Sequence, residues 1–319
     1  MIQYLYLGRV DYAEALRLQE ELVAMRNEQR IGNTLLLLEH PPVLTLGRNA
    51  RRANILASDE LLAQRGVTIH EINRGGDVTY HGPGQLIGYP IFDLRGLRNA
   101  NGARLGPVDF VRLIEETLIR LCGEFGVAAG RICGLTGVWC GLPSGAADGS
   151  PKVEQPHHSS KSLPSAGRER KIAAIGIHVA RGVTSHGFAF NVTTDLSGFT
   201  LINPCGITDR PVTSLEKEIA QGIVEERANP KPLPNLEELA HSAARQFGFV
   251  FGQQVRALES LDELRVQAKV AADDLQGSSQ PEDPATEFLA PQFPAEDTPL
   301  HVPPEIERLR GRKSRAILA

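Results

Sequence analysis

Two side chains in this 319-residue sequence have the chemistry of a covalent catalyst, Cys205 and Lys171. Cys205 stands in the run Asn203-Pro204-Cys205-Gly206, a loop context that holds a thiol clear of regular structure and lets the backbone bend around it. A cysteine attacks as the thiolate, and a thiol of ordinary pKa, about 8.5, is only a few per cent ionised near pH 7. An ammonium about 4 Å away contributes roughly 4 kcal/mol at an effective dielectric of 20, and about 1.4 kcal/mol is one pKa unit, so even half of that interaction leaves the sulfur largely ionised. Lys171 opens the apolar run Ile172-Ala173-Ala174-Ile175 and so sits at the entrance of a strand. The two residues are 34 positions apart, and that separation alone does not bring them together.

The elements that must position these groups can be read from pattern. After the Lys171 run, His178 and Arg181 precede a turn signal at Gly182, giving strand, turn and strand. Upstream, Arg74 to Gln85 holds four glycines (Gly75, Gly76, Gly82 and Gly84). Such a backbone turns sharply or lets a ligand come close. Neither GxGxxG nor GxxxxGK[ST] is present, so a phosphate cradle lacks its lysine and its helix signal. A hairpin corner fits better, with Tyr80 and His81 on the wall of a binding space.

The rest of the chain reads as short strands with few helices. Strands are expected at residues 2–7, Thr34–Leu38, Val43–Leu46, Val67–Ile72, Leu86–Leu94 and around Val138-Trp139-Cys140, with an edge strand at Phe249–Phe251. Helices are expected at Tyr12–Met25, from Pro107 to about Phe125, from 215 to 226 after Thr213 and Ser214, at Leu236–Phe247 and over 258–272. This alternation suits an α+β fold better than a parallel doubly wound sheet. From 141 to 170, 14 of 30 residues are Gly, Pro or Ser, the texture of a mobile insertion between two strands of a hairpin. Residues 226–275 read as a C-terminal helical extension, and 276–319, proline-rich and acidic before a basic end, as a disordered tail.

A hydrophobic content of 41% and a net charge of -4 describe a globular protein without the basic field that nucleic acid would require. No run approaches the roughly 18 apolar residues of a membrane span. Cys122, Cys133, Cys140 and Cys205 form no CxxC pair, and His157 and His158 have no cysteine near them, so neither a metal site nor a disulfide framework is expected. Free thiols and an N-terminus without secretory features give the expectation of a cytoplasmic protein. Cys122 falls on the apolar stripe of its helix, a core position. Arg48, Arg51 and Arg52 cluster after Gly47. Taken alone they are a solvated charge run, and beside an acidic partner they would be a landing patch.

Three long strings, LEHPPVLTLGR, RGGDVTYHGPGQLIGYP and KIAAIGIHVARGVTSHGFAFNV followed by INPCG, occur in the order found in the octanoyltransferases of lipoate biosynthesis, and over about residues 1–225 the chain resembles that family. The resemblance implies the fold of the biotin and lipoate protein ligases, a mixed sheet carrying helices on one face. It also implies a catalytic pair, Cys205 and Lys171. Substrate contacts would come from Arg74, Gly75, Gly76, Asp77, Val78, Thr79, Tyr80 and His81, and from Ala174, Ile175, Gly176, Gly187, Phe188 and Ala189. His186 would either orient Lys171, line the pocket or be a structural histidine. No cofactor or metal is implied. The implied donor is octanoyl-acyl carrier protein, and the implied acceptors are the lipoyl domains of 2-oxoacid dehydrogenase complexes and the glycine cleavage H protein. Three rivals remain: an ATP-dependent lipoate or biotin protein ligase, a non-catalytic acyl-binding module, and a thiol hydrolase. A ligase has no need of a nucleophilic thiol, so Cys205 speaks for the transferase.

Overall fold

In the computed structural model, which describes residues 1–99, 101–142, 169–203, 210–224 and 232–277, the elements run as β1 (Ile2–Arg9), α1 (Tyr12–Asn27), β2 (Asn33–Glu39), β3 (Val43–Leu46), α2 (Asp59–Gln64), β4 (Thr68–Glu71), β5 (Val78–His81), β6 (Gln85–Ile91), α3 (Pro107–Glu124), β7 (Ala129–Ile132), β8 (Leu135–Cys140), β9 (Arg170–Ala180), β10 (Val183–Asn191), α4 (Leu215–Val224), α5 (Leu236–Phe251), β11 (Val255–Ala257) and α6 (Leu261–Gly277). Eight strands form one sheet in the order β11-β1-β2-β6-β10-β9-β8-β7, and β4-β3-β5 form a small second sheet. The pairs β11–β1 and β1–β2 are parallel and the other ladders of the large sheet are antiparallel, so the sheet is mixed. Residues Met1–Gln276 make one compact unit. The second unit, Gly277–Ala319, has only its first residue among those described.

β2 shows why helices are needed on both sides. Leu35 to Leu38 are all fully buried, and alternation sends Leu35 and Leu37 to one face and Leu36 and Leu38 to the other. On the first face α3 (Phe110, Ile114, Leu118) and α5 (Ala243, Ala244, Phe247) complete the core. On the second, α1 (Ala15, Leu18, Leu22) and α6 (Leu264, Ala268) do so. The α+β mixed sheet expected from sequence is present, but the expectation of helices on one face is corrected: a strand with no polar side cannot face water. Cys122 is fully buried in the first core, as the stripe implied.

The C-terminal stretch is part of this body. α5 fills the core under the sheet, and β11 adds the parallel edge beside β1. The edge strand expected at Phe249–Phe251 is helix instead, because α5 continues until Gly252 closes it in the left-handed conformation (φ 61°), and the strand starts three residues later. Of the insertion expected at 141–170, residues 143–168 lie outside the described residues and Arg170 already belongs to β9; of the tail expected at 276–319, residues 278–319 lie outside them.

For the site, the most consequential element is the β9–β10 hairpin. Arg181 and Gly182 both have positive φ (52° and 83°), making the two-residue turn whose twist matches an antiparallel pair. The ladder that follows sets Gly187 opposite Gly176 and Ala189 opposite Ala174.

Candidate active site

Those four small residues make a trough in the face of the large sheet, with Ile87 and Tyr89 of β6 beside them. The glycine-rich segment Arg74–Thr79 covers the trough. Gly75 donates its N–H to the carbonyl of Ile177 on β9 (3.1 Å), and a Cβ added at Gly176 would lie 2.7 Å from the Gly75 oxygen, so only glycine allows this close approach. The cavity between is lined by Tyr12, Arg74 to Thr79, His81, Ile87, Tyr89, Lys171, Ala174, Ile175, Gly176, His186, Gly187, Phe188 and Ala189.

Lys171 reaches this cavity through an irregularity that the sequence pattern did not reveal. Trp139 pairs with Lys171 and Val138 pairs with Ala173, so Ile172 is one extra residue in β9, a β-bulge. Strict alternation from Ala174 would put Ile172 on the cavity face and Lys171 in the opposite core. The bulge lets Ile172 and Ala173 both enter the core and turns Lys171 to the cavity side. Its Nζ lies 5.1 Å from the ring centroid of buried Trp139, where the π face favours the cation. Across the strand pair Gly137, at φ 124°, clears the path: a Cβ there would stand 2.7 Å from Lys171 Cε and 2.6 Å from the Ala173 carbonyl oxygen.

The backbone of Lys171 is held on its other side by the segment after the Cys205 loop. The Lys171 N–H donates to Pro211 O (2.9 Å) and the Thr213 N–H donates to Lys171 O (2.9 Å). The neighbouring Arg170 makes a two-pronged ion pair with Glu218 of α4, which also accepts from the Thr213 hydroxyl. Burial raises the Glu218 pKa, but the hydrogen bonds from Arg170 and Thr213 outweigh it and hold the carboxyl below its usual range. Cys205 itself lies outside the described residues. Among the described cysteines none lines the cavity. Burial pushes the Cys122 and Cys140 thiols far up, and Cys133 is exposed on the surface.

The polar walls are firmly partnered. The Arg74 guanidinium donates to the Thr45 carbonyl (2.8 Å), the Thr45 hydroxyl (3.0 Å) and its neighbour Gly75 O (3.0 Å). His81 donates from Nδ1 to Gln85 Oε1 (2.8 Å), leaving Nε2 to accept from Thr45 Oγ1 (3.3 Å). Asp77 accepts from Asn54 Nδ2 (2.6 Å) and from the Val78 N–H (2.7 Å). His186 adopts φ 56°, a left-handed conformation uncommon outside glycine, held by its N–H to Gln19 Oε1 (2.8 Å) and by Nε2 to Asn73 Oδ1 (2.6 Å). Behind the cavity His40 donates to Val10 O and accepts from the Tyr89 hydroxyl, both at 2.7 Å, and Tyr12 packs between the rings of His40 and His70. Among the described residues no three His, Cys, Asp or Glu side chains are grouped to hold a metal ion.

Of the site residues that the resemblance implied, all the described ones except Tyr80 line this cavity, and Cys205 lies outside the described residues. Tyr80 packs against Phe199 in the core of the small sheet (ring centroids 5.5 Å apart), because alternation along β5 turns it away from the face that carries His81. Tyr12, which lies in none of the quoted strings, and Ile87 and Tyr89, at the end of the glycine-rich one, line the cavity without having been picked out as contacts. Their periodic apolar settings read equally well as core.

The chain matches the Lipoyl protein ligase A/B catalytic domain over residues 11–231. It is 56% identical over 265 residues to the octanoyltransferase of Acidobacterium capsulatum, a match covering 83% of this chain and 96% of that one. The chain belongs to the octanoyltransferase family. A second octanoyltransferase, from Koribacter versatilis, is 50% identical over 264 residues, covering 83% of this chain and 90% of that one. The protein is therefore an acyltransferase, as its resemblance implied. Among solved structures, a putative lipoate protein ligase from T. acidophilum aligns with a TM-score of 0.52 at 14% identity, covering 86% of this chain and 95% of that one. Lipoate-protein ligase A bound with ATP aligns at 0.53, also at 14% identity with the same coverage. These likenesses carry the fold alone, and it is the one expected from sequence.

The site histidines make a pH prediction. Burial first, and for His81 and His186 the nearby Arg74 charge as well, lowers the pKa of His40 to about 4, of His81 to about 3 and of His186 to about 4. Unfolded, each binds its proton near pH 6.5, so the unfolded state takes up more protons between these values. The stability from keeping the rings neutral is whole above about pH 6.5 and is lost as pH falls toward about 4. Thermal denaturation followed across that range should show Tm falling with acid, and His81→Asn should flatten the fall. A Tm that held or rose on acidification would contradict the neutral, buried rings.

Proposed function

We propose that the protein moves an octanoyl group from acyl carrier protein to a lysine of lipoyl domains, including those of 2-oxoacid dehydrogenase complexes and the glycine cleavage H protein, through a thioester on Cys205. The Cys205 thiolate attacks the carrier's thioester carbonyl. The new S–acyl bond forms as the carrier thiol leaves and takes up a proton. The acceptor amine then attacks the octanoyl-cysteine, an amide forms, and Cys205 departs as the thiolate. Lys171 stabilises the thiolate in the first half and helps remove the amine proton in the second.

The observation that carries this reading is the placement of Lys171. A bulge turns it into the cavity walled by the glycine-rich motif, and its own backbone is bonded to the segment that ends the Cys205 loop. The trough of small residues next to Ile87 and Tyr89 suits a saturated chain. Each buried methylene contributes about 0.8 kcal/mol, so a donor shorter by two carbons loses about 1.6 kcal/mol, roughly fifteenfold, while longer chains are excluded sterically.

The arginine segment adds a docking element. The N–H groups of Arg48 and Asn49 donate to the carbonyls of Arg74 and Gly76, which ties this exposed segment to the cavity cover. Arg52 pairs with Asp59 at 2.6 Å, but both are exposed and such a pair holds little energy, so the segment's charge stays open to an acidic carrier.

Two measurements test the reading. Incubated with octanoyl-acyl carrier protein, the wild type should gain the mass of one octanoyl group and Cys205→Ser none, and the adduct should pass to an apo lipoyl domain without ATP. An adduct on Cys205→Ser, or transfer that requires ATP, would overturn the mechanism. The pair Arg51→Glu and Arg52→Glu should lower kcat/KM for the carrier-bound donor by about tenfold at low salt and flatten its salt dependence. Unchanged values would make the patch irrelevant.

A further inference from the structure

Two buried amides lie between the cavity wall and the Lys171 clamp, and neither touches the cavity. Gln85 at the start of β6 and Asn191 at the end of β10 are 1% and 4% exposed. Their orientations are set by their partners. Gln85 Oε1 accepts from His81 Nδ1 (2.8 Å), and its Nε2 donates to Asn191 Oδ1 (2.8 Å) and to Tyr80 O (3.3 Å). Asn191 Nδ2 then donates to the backbone carbonyl of Thr213 (2.9 Å). Thr213 is the residue whose N–H bonds Lys171 O. A continuous path of hydrogen bonds therefore runs from Arg74 through Thr45, His81, Gln85 and Asn191 to Thr213 and Lys171.

We propose that Asn191 is a positioning residue for acyl transfer: with Gln85 behind it, it fixes the Thr213 backbone, whose N–H holds the Lys171 carbonyl, and so sets Lys171 in the cavity wall. The inference rests on the proposed roles of Cys205 and Lys171. Asn191 suits the task because a buried carbonyl left without its donor must find another partner, and the backbone from Pro211 to Thr213 can do so only by moving.

The test compares wild type, Asn191→Leu and Asn191→Asp with octanoyl-acyl carrier protein as donor, with Tm recorded for each. Leucine is close in size and removes the donor to Thr213. It should lower kcat by about tenfold or more, as misplacement of a reacting group does, with KM within about twofold. Its acid limb in kcat/KM against pH should move toward that of an ordinary thiol. Aspartate sets a carboxylate against the Thr213 carbonyl but supplies a donor again when protonated, so its activity relative to wild type should climb as pH falls from about 8 to about 6. If Asn191→Leu fails to fold, the aspartate ratio carries the test alone. Wild-type kcat in either folded variant, or a flat aspartate ratio, overturns the proposal. Failure of the underlying reading looks different: the wild type itself then forms no octanoyl adduct on Cys205.

Discussion

One additional residue in a strand decides which side of the sheet the lysine faces. In a regular ladder Lys171 would share a face with Ala173 and be driven into an apolar core, where an ammonium costs several kcal/mol. The bulge at Ile172 removes that conflict by sending two consecutive apolar residues inward and the lysine outward. The rest of the site is arranged around the result. Gly137 leaves room for the side chain, Trp139 presents its ring to the ammonium, and Pro211 and Thr213 bond the Lys171 backbone on the side of β9 away from β8.

The cavity is built chiefly from backbone and small side chains on one side and from fixed, neutral rings on the other. Gly176 and Gly187 let main chains approach within a distance that any Cβ would prevent. His81, His186 and His40 are committed to protein partners and kept uncharged by burial. Among the described residues Arg74 and Lys171 are the cations that line this space; Arg74 donates to Thr45 and Gly75, and Lys171 lies over the Trp139 ring. That division fits a site in which one ammonium meets a sulfur while an apolar chain lies beside it. A low local dielectric strengthens the one charge contact that matters.

Much of this was legible in the sequence because it depends on local signals. The turn at Gly182, the glycine run from 75 to 84 and the helix opened by Pro107 are where their residue types demand. The lining at Arg74–His81, Ala174–Gly176 and Gly187–Ala189 followed from motif resemblance, with Tyr80 the exception, its ring being in the core of the small sheet. What was not legible is long-range. A bulge is a property of two paired strands, so nothing in Lys171-Ile172-Ala173 alone reveals it. The bonds from Gln85 to Asn191 and from Asn191 to Thr213 join positions far apart in the chain, and β11 has too little pattern of its own to be seen without its partner β1. Helices on both faces follow from the burial of every side chain in β2, which a four-leucine run suggests only once its neighbours are known.

The proposed mechanism requires the ammonium of Lys171 to keep the Cys205 sulfur ionised. The most direct measurement is the rate at which Cys205 is alkylated by iodoacetamide as a function of pH, in wild type and in Lys171→Met, with the modified residue identified by mass. The wild type should show an inflection below about 7, and the variant a return to about 8.5. Inflections that coincide in the two proteins, at any pH, would contradict it.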